Sequence, residues 1–133
     1  MEMRTMTLLS VTKDVGGKSG ITNIEIDSIL MLSYSKSIDR VLVHTADTIF
    51  YTIGTLTFWN EVLNNSGHNF SLVDRSNSLN LDKVVVLDQT FKVAYFESNI
   101  TSKSKRCIIA GYRFNEVKKS LNLINPGISI QES

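Results

Sequence analysis

The chain is 133 residues long, 42% apolar and 20% charged, with fourteen Lys and Arg against thirteen Asp and Glu for a net charge of +1. That length suits one domain with a core of its own, no segment approaches the ~18 consecutive apolar residues of a membrane-spanning helix, and the lone cysteine, Cys107, rules out an intramolecular disulfide and fits a reducing cytoplasm. The opening Met1-Glu2-Met3-Arg4 has neither the long apolar stretch nor the small-residue cleavage site of an export signal.

Short runs of β-branched and aromatic residues, broken by Gly, Asn, Asp and Ser, predict a strand-rich domain. In chain order the expected strands are Met6 to Thr12, Ile21 to Ile26, Ile29 to Tyr34, Arg40 to Thr45 and Thr48 to Tyr51. Gly16-Gly17 and Ala46-Asp47 read as tight connections between them. From about Thr55 to Leu63 the pattern changes: Leu56, Trp59, Val62 and Leu63 recur at helical spacing, and Asn64-Asn65-Ser66-Gly67 stops the run. This helix is expected to place Trp59 under the sheet. Strands resume at Ser71 to Val73, Val84 to Leu87, Phe91 to Phe96 and Lys105 to Ile109, with Asp88-Gln89-Thr90 as a hairpin loop. Strands joined this closely pair antiparallel. A second helix is expected from about Phe114 to Leu121, with Phe114, Val117 and Leu121 on one face and Lys118 and Lys119 in the last turn, where the helix dipole favours cations. The segment from Asn122 to Ser133, punctuated by Pro126-Gly127, is expected to fray. No internal repeat divides the chain, so residues 1 to 133 read as one domain with a core from about 21 to 121.

Residues suited to catalysis are scarce. His44 ends an alternating strand and His68 sits in a polar loop, so two histidines and one cysteine make no recognisable zinc site. No nucleophile elbow, phosphate loop or zinc-protease helix occurs. Gly16-Gly17-Lys18-Ser19-Gly20 has the residues of a phosphate loop without its spacing and is followed by a strand, so it reads as a turn. No enzyme, cofactor or metal is expected.

Charge is unevenly spread. Residues 101 to 121 carry Lys103, Lys105, Arg106, Arg113, Lys118 and Lys119 against Glu116 alone, while the first hundred residues hold eight basic and eleven acidic side chains. Such asymmetry either gives the C-terminal region an electropositive face able to steer a polyanion or is an ordinary solvated surface. Asp74-Arg75-Ser76-Asn77-Ser78-Leu79-Asn80 is polar where its flanks are strand-like. By composition alone it is as well explained as an irregular connection, with side chains bonding to nearby backbone and Arg75 in solvent.

The order of a helix, then Phe70-x-x-Val73-Asp74-Arg75-Ser76-x-x-x-Asn80-Leu81-x-x-Val84, resembles the signature of the LytTR DNA-binding domain family. The surroundings agree: Ile24-x-Ile26-x-x-Ile29-x-x-Leu32, Val41-x-Val43-x-Thr45, Gly54-Thr55-Leu56, and Ala110-Gly111-Tyr112-Arg113 ahead of a short basic helix. The likeness spans roughly Ile21 to Leu121 and rests on order and spacing together. It departs from the family at Asp74, where His is usual, at Asn77, which replaces an aromatic, and at Ser78, which replaces an apolar residue.

The resemblance implies a predominantly all-β fold of elongated antiparallel sheets with one or two short helices, reading double-stranded DNA from three loops. Carried over by motif, the first loop supplies Lys36, Ser37, Asp39 and Arg40, the second Arg75 and Ser76, and the third Arg113, whose guanidinium fork suits guanine O6 and N7. Lys103, Lys105, Arg106, Lys118 and Lys119 would meet phosphates. The implied function is a cytoplasmic bacterial transcription regulator, with a second copy on direct-repeat sites. With about twenty residues ahead of the matched region, no receiver domain and no phosphorelay control are expected in this chain. The alternative is a protein-interaction module on the same fold that has lost DNA binding, to which Asp39, Asp74 and the near-neutral net charge point.

Overall fold

The computed structural model describes residues 7 to 132, so Met6, the expected start of the first strand, and Ser133 in the tail lie outside it. The order of elements is β1 (Leu8–Val11), β2 (Thr22–Glu25), β3 (Met31–Ser35), β4 (Arg40–His44), β5 (Ile49–Thr52), α1 (Leu56–Asn65), β6 (Phe70–Leu72), β7 (Asn77–Asn80), β8 (Val86–Asp88), β9 (Val93–Tyr95), β10 (Arg106–Ile108), α2 (Phe114–Ile124) and β11 (Ser129–Gln131). Short 3-10 turns fill Ile26–Ser28, Leu81–Lys83 and Gly111–Arg113.

Three sheets result: β1-β2, a central β5-β4-β3-β7-β6, and β10-β9-β8-β11. Alternation along the central strands divides their side chains between two cores. Leu32 of β3 and Val41 and Val43 of β4 join Leu9, Val11, Ile29, Phe50, Leu56, Leu63 and Phe70, so β1, β2 and α1 cover one face. Met31 and Leu79 join Leu87, Ala94, Cys107, Phe114, Val117 and Leu121 on the other, under the four-stranded sheet and α2. A sheet buried on both faces leaves its strand ends and connections to meet partners.

Two expectations are corrected here. Asn77 to Asn80, read as part of an irregular connection, is β7, the strand between β3 and β6. Two of its polar residues are buried with partners: Ser78 Oγ donates to Asn60 Oδ1 of α1 at 2.6 Å, and Asn80 Nδ2 donates to the Ile29 carbonyl at 2.8 Å. Composition disguised a central strand because hydrogen bonds to neighbours, invisible in sequence, satisfy the polar groups.

The C-terminal segment, expected to fray, is built in. The second helix runs on to Ile124, which puts Lys118 and Lys119 in its middle. Ile128 is buried, and β11 pairs with β8, the one parallel pairing among the described strands. A parallel partner needs the long crossover that β9, β10 and α2 supply.

Smaller differences also have local causes. Trp59 is only half-buried at the margin of its core, because its indole N–H reaches out to the Ile53 carbonyl at 2.8 Å. Cys107 is buried in β10, and that burial pushes its thiol up to about 12, so it packs as a small hydrophobe. His44 is half-buried with Nε2 2.8 Å from Ser33 Oγ. Burial, with Lys105 nearby, lowers it to about 4. Among the described residues no helix is long and apolar enough to cross a membrane.

Candidate nucleic-acid interface

Strand register brings several connections to one end of the central sheet. Ser35 pairs with Arg40 across the tip at residues 36 to 39, and Leu72 pairs with Ser78 below the tip at Asp74, Arg75 and Ser76. The amide of Tyr34 donates to the Ser76 carbonyl at 3.0 Å, which sets the two tips side by side. Thr52 pairs with Val41, so β5 delivers the start of α1 to the same end, where Thr55 Oγ1 caps the helix by accepting from the Phe58 amide at 3.0 Å. Tyr34, Asp39, Gly54, Thr55, Leu56, Thr57 and Arg75 line a shallow depression between them.

The third connection arrives from the other layer. The Ala110 amide donates to the Val73 carbonyl at 2.8 Å and Arg113 Nη1 to the Leu72 carbonyl at 3.1 Å. The turn at Gly111–Arg113 is thereby fastened to the stem of the β6–β7 hairpin.

Both acids that depart from or interrupt a basic surface are committed locally. Asp74 Oδ1 accepts from the Ser76 amide at 2.7 Å and Oδ2 from Asn77 Nδ2 at 3.0 Å. Two of the residues that depart from the LytTR pattern thus bond to each other and shape the hairpin tip. Asp39 sits at φ 52, in the left-handed region that Asp tolerates, and accepts from Tyr34 Oη at 2.7 Å, a bond that raises the Tyr34 phenol.

The cations differ in freedom. Lys36 and Arg75 are exposed at the two tips, and neither has a hydrogen-bond partner among the described residues. Ser37 is exposed, with Oγ 3.1 Å from Ser35 Oγ, and Ser76 offers an exposed hydroxyl. Arg40 is a strut: Nε donates to the Val15 carbonyl at 3.1 Å and Nη1 to the Asp39 carbonyl at 2.8 Å. Arg113 is also largely engaged. Its Nη1 is bound to Leu72, its Nε is buried without a partner, and its guanidinium lies 5.5 Å from the Tyr112 ring. With Nε buried and one Nη1 hydrogen bound to Leu72, the guanidinium does not present its full fork in this conformation.

Lys103, Lys105 and Arg106 do not join this cluster. Lys105 lies beside His44 and Asp47, where burial lowers its ammonium, and His44 ends β4 opposite the β3–β4 tip. Arg106 packs on Tyr95, 5.1 Å from its ring, with Nη2 on the Thr101 carbonyl. Four residue steps along extended chain lead from Arg106 to Ala110, roughly 13 Å. Lys105 and Arg106 therefore lie away from Arg113, and of the two readings that the charge pattern left open these positions do not support one continuous electropositive face. Lys119 is exposed on α2, and Lys118 is hydrogen-bonded to Gln89.

Sequence reading missed three residues at the loop end. Tyr112 is 77% exposed on the Gly111–Arg113 turn. Lys92, at φ 56, stands beside Gly111 with its ammonium 5.6 Å from the Phe114 ring, brought there by the Ile109 amide bonding to its carbonyl. Lys13, near the start of the β1–β2 connection, is exposed. A tyrosine directly before Arg113 was the one signal in the sequence; its exposure, and the places of Lys92 and Lys13, depend on the fold.

No protein-family model matches the sequence. No curated protein matches it significantly. Solved structures do: a LytTr DNA-binding domain from Bacillus cereus superposes with a TM-score of 0.62 over 88% of this chain and 97% of that one, at 11% identity. Identity that low carries the fold, and the fold is the one expected from the spacing of the Val73, Asn80 and Val84 motif. Three sheets, two short helices and the order of their connections place this chain in the LytTR fold.

Proposed function

We propose that this chain binds double-stranded DNA in a sequence-specific way and acts as a bacterial transcription regulator in the cytoplasm. One observation carries the reading: two hairpin tips and the Gly111–Arg113 turn are fastened together at one end of the central sheet and hold the exposed, unpartnered side chains of Lys36 and Arg75. The likeness to a solved LytTr DNA-binding domain supports it. Arg75 has its whole guanidinium available for the two hydrogen bonds that distinguish guanine in the major groove. Arg113 reads from the same end if its side chain leaves Leu72, with Lys36 and Ser37 beside it. Asp39 and Arg40 shape the first loop, and Ser76 the second. Lys103, Lys105 and Arg106 reach phosphates only on DNA that extends or bends past the loop end. A second copy on a direct repeat is part of the proposal.

The competing reading, a protein-interaction module, drew support from Asp39 and Asp74. Both carboxylates are engaged with their own loops, which lessens their weight against DNA.

Selection from a random duplex pool, followed by fluorescence anisotropy on the enriched site, tests this. Affinity should fall with salt by ~0.9 log units per phosphate contacted for each log unit of salt. Arg75→Ala should cost ~1–3 kcal/mol on the enriched site and much less on scrambled duplex. A pool that enriches nothing, with a flat salt response, would refute sequence-specific binding.

A further inference from the structure

We propose that the β1–β2 connection, Thr12 to Ile21, is a fourth contact with the duplex, holding Lys13 and Lys18 against backbone phosphates beside the base-reading tips. The inference rests on the DNA-binding reading above and extends it to a part of the chain outside the three loops.

The connection is moored to the loop end at two places. Thr12 and Tyr51 exchange backbone hydrogen bonds of 3.0 and 2.9 Å, which pins its start to β5, and Arg40 Nε donates to the Val15 carbonyl at 3.1 Å, which pins its middle to the β3–β4 tip. That arginine explains its own engagement: it holds one loop against another.

Between those points the loop is internally organised. Asp14 accepts from the amides of Lys18 and Ser19 at 2.8 and 2.9 Å and from Ser19 Oγ at 2.5 Å, and Thr12 Oγ1 donates to the Asp14 carbonyl at 2.7 Å. Those donors hold the Asp14 carboxyl down at about 2. Gly17 and Gly20 take φ of 75 and 78, and around Gly20 a side chain would meet no atom within 4 Å. The second glycine therefore answers to backbone conformation alone, and the glycine-rich stretch that sequence reading left as a turn is a fixed scaffold. Its acid turns inward to amides, whereas Lys13 and Lys18 are exposed, and neither side chain has a hydrogen-bond partner among the described residues. A loop already ordered when free loses little entropy on binding, and an ammonium on a flexible stem suits a phosphate, which positions the protein without reading sequence.

The test uses the full chain and two duplexes, the enriched site and a scrambled one of equal length, titrated between ~50 and ~200 mM salt. The Lys13→Ala/Lys18→Ala double variant should bind both roughly ten-fold more weakly at the low end of that range, with a salt slope shallower by ~1.8 and unchanged base preference. Lys83→Ala is the control. Lys83 follows β7 at the opposite end, beside Thr45 and Asp47, so its loss should leave the slope unaltered. A double variant with the wild-type slope overturns the fourth contact while leaving DNA binding in place. Equal loss in Lys83→Ala overturns it too, by showing an effect of net charge. A wild-type chain that binds neither duplex overturns both the contact and the reading beneath it. Unchanged thermal melting of the double variant establishes that any loss is not unfolding.

Discussion

Asn80 ties the fold to the candidate interface, and its removal has a cost that can be worked from the structure. The residue is 1% exposed. Its Nδ2 donates to the Ile29 carbonyl at 2.8 Å, and its Oδ1 accepts from the Asp82 amide at 3.2 Å, starting the 3-10 turn after β7. Ile29 is fully buried, so Asn80→Ala leaves its carbonyl without that donor and away from water, a penalty of ~1–3 kcal/mol. The lost turn bond adds ~0.5–1.5 kcal/mol. A total near 3 kcal/mol lowers the melting temperature of a chain this size by roughly 10 °C. Asn80→Asp should cost more, because it sets a carboxylate oxygen against the Ile29 carbonyl in a dry site. Thermal and urea unfolding followed by circular dichroism give both values. If Asn80→Ala and Asn80→Asp melt with the wild type, the buried hydrogen bond contributes nothing and the account of how β7 is held is wrong. Since β7 carries the Arg75 tip at its other end, a loosened β7 should also weaken DNA binding.

Three further outcomes are expected. Gly54 adopts φ 121, and a Cβ there would lie 2.9 Å from Trp59 Nε1, so Gly54→Ala should destabilise by roughly 1–3 kcal/mol and red-shift tryptophan emission as the indole leaves the Ile53 carbonyl; unchanged emission and melting would refute the close approach. His44 is depressed to about 4 in the folded chain against an ordinary 6.5: the unfolded chain binds the extra proton between those values, so stability is full above pH ~6.5 and falls on acidification by up to ~3 kcal/mol. His44→Gln should flatten melting temperature against pH across that window, and an unaltered profile would assign the acid sensitivity elsewhere. Arg113→Ala frees the Leu72 carbonyl and the Tyr112 ring, so it should lower stability by ~1–2 kcal/mol as well as affinity; full stability with lost binding would make Arg113 a reader alone.

Much of this molecule was legible before its structure. Composition and spacing identified a β-rich chain, both helices and the β3–β4 connection, because a strand's alternation and a helix's apolar stripe are local consequences of burial on one side, while Arg75 and Ser76 were singled out by the family resemblance alone. Within each hairpin the register follows from partners adjacent in sequence, but Lys36 and Arg75 became neighbours only through the pairing of β3 with β7, more than forty residues further on. Distance along the chain is where reading failed. β7 passed for a loop because its polar side chains find partners on α1 and ahead of β3, and β11 passed for a frayed tail because the strand it pairs with, β8, lies some forty residues back. The split of the basic stretch, the tying of Arg40 and Arg113 to carbonyls, and the arrival of Lys13, Lys18 and Lys92 at the loop end were decided by tertiary contacts alone. A charge or a donor takes its meaning from what it faces after folding, and no local pattern records that.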